Sequence, residues 1–259
     1  MEIYQVDAFS DRLFSGNPAA VCPLDKWPDT ELMQNIAAEN NLAETAFFVK
    51  ENNSFHIRWF TPEVEVDLCG HATLAAAHVL FYHKDFPKDE ITFTSRSGEL
   101  RVTKNKNYLT LDFPVDDLKE IKVTPDMHSW FSLQPLQVFR GKTDYMLVFE
   151  NENQIQNIIP DLAIISKLKE ARGVIVTSRG TEVDFVSRFF APQSGISEDP
   201  VTGSAHTSLT PYWSEKLNKK EMKAIQLSPR KGFLHCKQAG ARVEISGNAK
   251  TFFIGKILI

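Results

Sequence analysis

Four side chains have the types and settings that can move a proton or hold an anion: Glu44, His71, Asp199 and Ser204. Glu44 is the only charge in Leu42-Ala43-Glu44-Thr45-Ala46-Phe47-Phe48-Val49. Burial among such neighbours destabilises a carboxylate and lifts its pKa toward the range useful for proton transfer. A glutamate on the solvent face of a strand is the alternative reading. His71 follows Gly70 at the start of an apolar run. There the helix dipole disfavours a second positive charge, so a neutral imidazole is expected, able to donate a hydrogen bond to a carbonyl or carboxylate. A packed histidine bonded to backbone would look the same. Asp199 can orient a substrate amine or hydroxyl, pair with His71 across a cleft, or cap the second helix. Ser204 sits in Gly203-Ser204-Ala205, which lacks the G-x-S-x-G nucleophile elbow, so it reads as a hydrogen-bond donor to substrate rather than a hydrolase nucleophile. Cys69 is a candidate low-pKa thiol at a helix start, against the usual inertness of single buried cysteines. His78 reads as structural, and His206 ranks behind His71.

These residues fall in two copies of one pattern. Arg58-Trp59-Phe60-Thr61-Pro62 is followed by Asp67-Leu68-Cys69-Gly70-His71-Ala72-Thr73. Arg188-Phe189-Phe190-Ala191-Pro192, 130 residues further on, is followed by Glu198-Asp199-Pro200-Val201-Thr202-Gly203-Ser204-Ala205-His206. Each copy reads strand, proline turn, acidic loop, helix. The first turn of a helix leaves backbone N–H groups without intrahelical partners and carries partial positive charge, and glycine lets an anion approach those amides closely. One such start is ordinary capping chemistry. Two at matching places suggest a pair of anion-binding ends. The position equivalent to Glu44 in the second copy is Val174, so chemistry built on Glu44 is one-sided.

The elements that must position these groups follow from periodicity. Residues 3–9 alternate as a half-buried strand, 19–22 return, and a helix runs from Asp29 or Thr30 to about Asn41. Strands are predicted over 42–49 and 55–61. Residues 70–83 are apolar on nearly every side, so that helix must be surrounded by protein. The strands 91–93, 100–102 and 108–113 would curl round it, and the polar stretch 114–125 reads as a linker. The second half supplies strands at 136–139, 145–149, 174–176 and 183–189, a helix over about 161–169, a helix from 203 that Pro211 should bend, and closing strands at 241–245 and 251–259.

A chain of 259 residues with 42% hydrophobic and 24% charged residues has the composition of a globular protein of one or two domains, and a net charge of −4 offers no basic footprint for nucleic acid. No apolar run is long enough for a bilayer and no secretory leader is visible, which predicts a cytoplasmic location and no membrane partner. Three dispersed cysteines suit reduced thiols better than a disulfide framework or a zinc site.

Together with Asn17-Pro18-Ala19-Ala20-Val21 and Asn41-Leu42-Ala43-Glu44-Thr45-Ala46-Phe47, the two loop motifs resemble the PhzF-like isomerases along essentially the whole chain. The resemblance implies an α+β, diaminopimelate-epimerase-like fold of two pseudo-symmetric domains, each a curled mixed sheet around a central helix. The domains would be 1–115 plus 251–259 with helix 70–83, and 116–250 with helix 203–217, the site lying in the cleft between them. It implies Glu44, His71 and Asp199 as catalytic residues, Gly70, Thr202, Gly203 and Ser204 as substrate-binding residues, no cofactor or metal, a small carboxylate substrate and a homodimer. Related epimerases use one cysteine from each half. Here Cys69 occupies the first place and Pro200 the second, which argues against a two-thiol racemase. The expected reaction is a proton shift on a small carboxylic acid, with a non-catalytic metabolite-binding protein as the alternative.

Overall fold

The computed structural model describes residues 1–106 and 108–259. It divides into two compact units, Met1–Asp112 with Ile245–Ile259, and Phe113–Glu244.

In the first unit β1 (Glu2–Ala8) lies antiparallel to β2 (Asn17–Leu24), which is followed by α1 (Thr30–Asn40) and β3 (Glu44–Glu51). β2 runs parallel to β3, with Ala19 opposite Glu44, and β3 pairs antiparallel with β4 (Ser54–Phe60). Asn41, in the left-handed region at φ 47°, stops α1 where the paired asparagines predict. After the short β5 (Glu65–Val66) comes α2 (Gly70–His83), then the meander β6 (Glu90–Ser95), β7 (Gly98–Asn105) and β8 (Tyr108–Pro114).

Every α2 residue from Gly70 to Phe81 is buried. A helix built as Ala-Thr-Leu-Ala-Ala-Ala has no polar face to give to solvent, so strands must surround it, and β1, β2 and β3 do. β2 is buried on both sides. Ala20 and Cys22 join Met33, Ile36, Phe47 and Phe60 in a cluster with α1, while Ala19 and Val21 face the other way.

The second unit carries β9 (Lys119–Ile121), β10 (Gln137–Arg140), β11 (Asp144–Val148), α3 (Glu152–Asn157), α4 (Leu162–Ile165), β12 (Gly173–Arg179) and β13 (Phe185–Phe190). After a single 3₁₀ turn, Gly203–Ala205, come α5 (His206–Leu217), β14 (Glu221–Gln226) and β15 (Gly232–Ala239). Its ladder mixes parallel pairs, β11 with β12 and β13 with β14, with antiparallel ones. α5 packs on β14 and β15. β16 (Arg242–Gly247) leads into β17 (Ala249–Lys256), which pairs along β1 in the first unit.

Four expectations change. The linker at 114–125 contains β9, paired with β10. The helix expected over 161–169 shrinks to α4, capped by the Asp161 side chain accepting from the Ile164 amide, and α3 precedes it under an equivalent Asn151 cap. The helix expected from 203 opens with the 3₁₀ turn. β14 and β15 were not anticipated, because their lysines and glutamates mask a period-2 pattern whose inward positions are Met222, Ala224 and Gln226.

Candidate functional site

In the first unit three consecutive elements converge on His71. β3 begins at Glu44, and its register against Ala19 of β2 sets that side chain in place, 9% exposed. β2 begins at Asn17, which is fully buried. α2 begins at Gly70, with Cys69 as its extended N-cap residue, and the Cys69 carbonyl is held by both the amide and the hydroxyl of Thr73. His71 Nε2 lies 3.1 Å from Glu44 Oε2. On the other side of the ring, Nδ1 meets the Asn17 side-chain amide at 3.2 Å and Cys69 Sγ at 3.5 Å.

The Glu44–His71 approach is ion-pair close but not aligned as a hydrogen bond. Among the described residues neither Glu44 Oε2 nor His71 Nε2 completes one. Buried polar atoms are nearly always paired, and exceptions concentrate where a ligand is expected to complete the set.

The electrostatics correct the expectation of a neutral ring. Burial works against a charge on His71, but the Cys69 sulfur and the Glu44 carboxylate beside the ring outweigh it and raise its pKa well above the ordinary imidazole value. A carboxylate at 3.1 Å exceeds the pull of a helix dipole. Cys69 is likewise no low-pKa thiol: burial, then the charge of Glu44, pushes it up to about 11. It enters as a neutral S–H, and all three cysteines are free. The donor atoms of Glu44, Cys69 and His71 lie within 4.8 Å of one another.

The second unit holds a loop of different character. Asp199, 8% exposed, accepts the Thr202 hydroxyl at 2.6 Å, and its amide donates to the Phe189 carbonyl. The Gln226 side chain, fully buried at the end of β14, closes this loop: its Oε1 accepts from the Thr202 amide at 2.8 Å, and its Nε2 donates to the Asp199 carbonyl at 2.8 Å. His206 Nδ1 lies 2.9 Å from the Thr202 carbonyl, and burial lowers this histidine to about 4, so it is a neutral donor there. Gly203 opens the 3₁₀ turn and half-buried Ser204 follows it. His206 thus serves the loop's backbone.

The repeated motif carries a repeated clamp. Arg58 grips Glu65 through Nε at 2.7 Å and a second nitrogen at 2.8 Å, with its guanidinium over Phe60. Arg188 grips Glu198 at 2.7 and 2.9 Å, over Phe190. Each clamp ties the acidic loop to the strand before it. Glu198 is therefore engaged by its arginine, as Asp199 is by the Thr202 hydroxyl.

A family model for phenazine biosynthesis-like proteins matches residues 6–255. The chain belongs to the PhzC-PhzF family.

A curated member, an uncharacterized isomerase of Pseudomonas aeruginosa, is 53% identical over 258 residues, covering 99% of this chain and 98% of the relative. A solved PhzF-family structure from Enterococcus faecalis superposes with a TM-score of 0.97 at 47% identity, covering 100% of this chain and 99% of the other. A probable proline racemase from Agrobacterium radiobacter, at 9% identity, shares the fold with a TM-score of 0.71 over 100% of this chain and 93% of its own. The fold is the α+β, diaminopimelate-epimerase-like one, and this PhzC-PhzF member is an isomerase-type enzyme. Among the described residues no helix is long and apolar enough to cross a membrane.

Sequence reasoning passed over three contributors to these sites. Gln226 follows Met222 and Ala224 on the inward face of β14, and that alternation was the available signal. Asn17 stood in a quoted motif without a role. The Arg–Glu clamps were legible only as a repeated arginine, since nothing in the spacing says which carboxylate each arginine takes.

Proposed function

We propose that this protein is a cofactor-independent isomerase that moves a proton between carbons of a small carboxylic acid, with Glu44 as the single general acid/base. The observation that carries this reading is the buried Glu44 carboxylate 3.1 Å from His71, with Oε2 unengaged by a hydrogen bond among the described residues.

Glu44 as carboxylate takes a proton from a carbon activated by the substrate's carboxylate. The C–H bond breaks, an O–H bond forms on Glu44, and the electron pair delocalises into the unsaturated acid. Glu44 then returns the proton to a second carbon on the same face, leaving the enzyme unchanged. His71 holds Glu44 in place and balances its charge. In the second unit, Asp199, Thr202, Gly203 and Ser204 form a loop rigid enough to hold substrate, and amides at the starts of α2 and the 3₁₀ turn suit developing negative charge. The homodimer implied by the family resemblance belongs to the same proposal, checked by sedimentation.

The test is incubation with a metabolite extract in deuterated water, followed by mass spectrometry for acids that gain deuterium. Wild type should label at least one small carboxylic acid and Glu44→Gln none. Equal labelling by Glu44→Gln removes Glu44 from the chemistry. A ligand that raises Tm but never exchanges would support a binding protein instead.

A further inference from the structure

Pro211 lies inside α5 and has no N–H, so the carbonyl one turn back, on Thr207, loses its helical donor. A carbonyl left that way away from water costs free energy. Thr207 is supplied from outside the helix instead: the Asp116 amide donates to its oxygen at 3.2 Å. The Asp116 carboxylate holds the next residue, accepting the Ser208 hydroxyl on Oδ2 at 2.7 Å, and it takes the Lys142 amide on Oδ1 at 3.0 Å. Gly141 makes room for it, since a Cβ there would stand 2.2 Å from Oδ2.

Asp116 belongs to the stretch expected as a linker, yet its place is fixed from both sides. The preceding amide, of Val115, donates to the Ala241 carbonyl at 3.0 Å, and Lys142 comes from the turn between β10 and β11. The other end of the contact is the start of α5. There the Thr207 hydroxyl donates to the Ser204 carbonyl at 2.7 Å, in the 3₁₀ turn that opens the helix. Asp116 thus reaches Ser204 through Thr207, and a proline that would ordinarily loosen the first turns of a helix is braced from outside.

We propose that Asp116 is a positioning residue for the substrate end of α5: by holding Thr207 and Ser208 it sets where Gly203 and Ser204 stand. It touches no reacting atom. The consequence for substrate rests on the proposed function, in which Gly203 and Ser204 help to hold the acid; the clasp itself does not.

The test compares the full-length wild type with Asp116→Ala, Asp116→Asn and, as a control for general loosening of the same unit, Met127→Ala, from a core cluster that contains no α5 residue. Heteronuclear NMR reads the backbone amides of Gly203 and Ser204 without any ligand. Asp116→Ala should move both resonances, and Asp116→Asn, which keeps an acceptor oxygen, should move them less. Met127→Ala should leave them in place. Pro211→Ala returns a helical donor to Thr207, so in that background Asp116→Ala should move them less than it does alone. Unmoved resonances in Asp116→Ala, or equal movement in Met127→Ala or in the Pro211→Ala background, overturn the clasp as a positioning device. For the acid that wild type labels in deuterated water, Asp116→Ala should raise KM for exchange about tenfold with kcat nearly unchanged, since Glu44 is untouched. An unchanged KM overturns the link to substrate. If wild type labels no acid, the proton chemistry falls and the resonances alone decide the clasp.

Discussion

Arg188 and Glu198 form a two-pronged pair at 2.7 and 2.9 Å that repeats, 130 residues on, the pair made by Arg58 and Glu65. Arg188 also donates to the carbonyls of Ile155 and Ile158, so it joins β13, α3 and the Asp199 loop. Both members are mostly buried. Arg188→Ala should lower the unfolding free energy by about 3 kcal/mol, because a partly desolvated carboxylate is left without its partner. Arg188→Lys keeps the charge but loses the fork and should fall between the two. Urea denaturation measures both.

Gln226 is the keystone of the Asp199 loop. Gln226→Leu fills the space but strands the Thr202 amide and the Asp199 carbonyl, and each buried unpaired group costs about 1–3 kcal/mol. Once a substrate is in hand, KM should rise in this variant more than kcat falls, because Glu44 is untouched. An unchanged KM would separate the loop from substrate binding.

Loss of His71 should slow proton exchange without abolishing it. His71→Asn keeps a polar group in the pocket but removes the cationic partner 3.1 Å from Glu44. Exchange should drop about 10²-fold, within the range for a single proton-transfer contributor, while Glu44→Gln drops it to background. Deuterium incorporation rates compare the two.

The protein should lose stability in mild acid. Burial lowers both His206 and His78 to about 4, from an unfolded value near 6.5. The unfolded chain therefore binds more protons between these values. Stability is full above about pH 6.5 and falls as pH drops toward 4, by at most about 3 kcal/mol for each histidine. In His206→Gln the slope of unfolding free energy against pH over that window should flatten.

A glycine marks a close approach behind the same loop. A Cβ on Gly232 would sit 2.1 Å from a Val201 methyl, so Gly232→Ala must push Val201 and with it Thr202. Overpacking of this kind should cost about 1–3 kcal/mol, readable as a lower Tm.

Much of this architecture was written locally. Ala-rich residues 72–77 with Leu74, Val79 and Leu80 leave no polar stripe, so burial of α2 followed from composition alone. The αL stop at Asn41 and the duplicated Arg-x-Phe strands were equally legible, since capping and alternation act over a few residues. By contrast, α3, α4 and β14 are short or charged on one face, and their existence depends on what they pack against.

The sequence by itself determined the family, the doubled strand–loop–helix scheme and the isolation of Glu44, because these rest on residue type and spacing. Only the tertiary structure decided the partners. Register between β2 and β3 set Glu44 beside His71, so a neighbouring carboxylate overrode the helix dipole and reversed the expected charge bias of the ring. Burial, in turn, made Cys69 a neutral thiol rather than a reactive one. Charge interactions act through space over a few ångströms, and which groups come that close is fixed by strand pairing and helix packing between residues far apart in the chain.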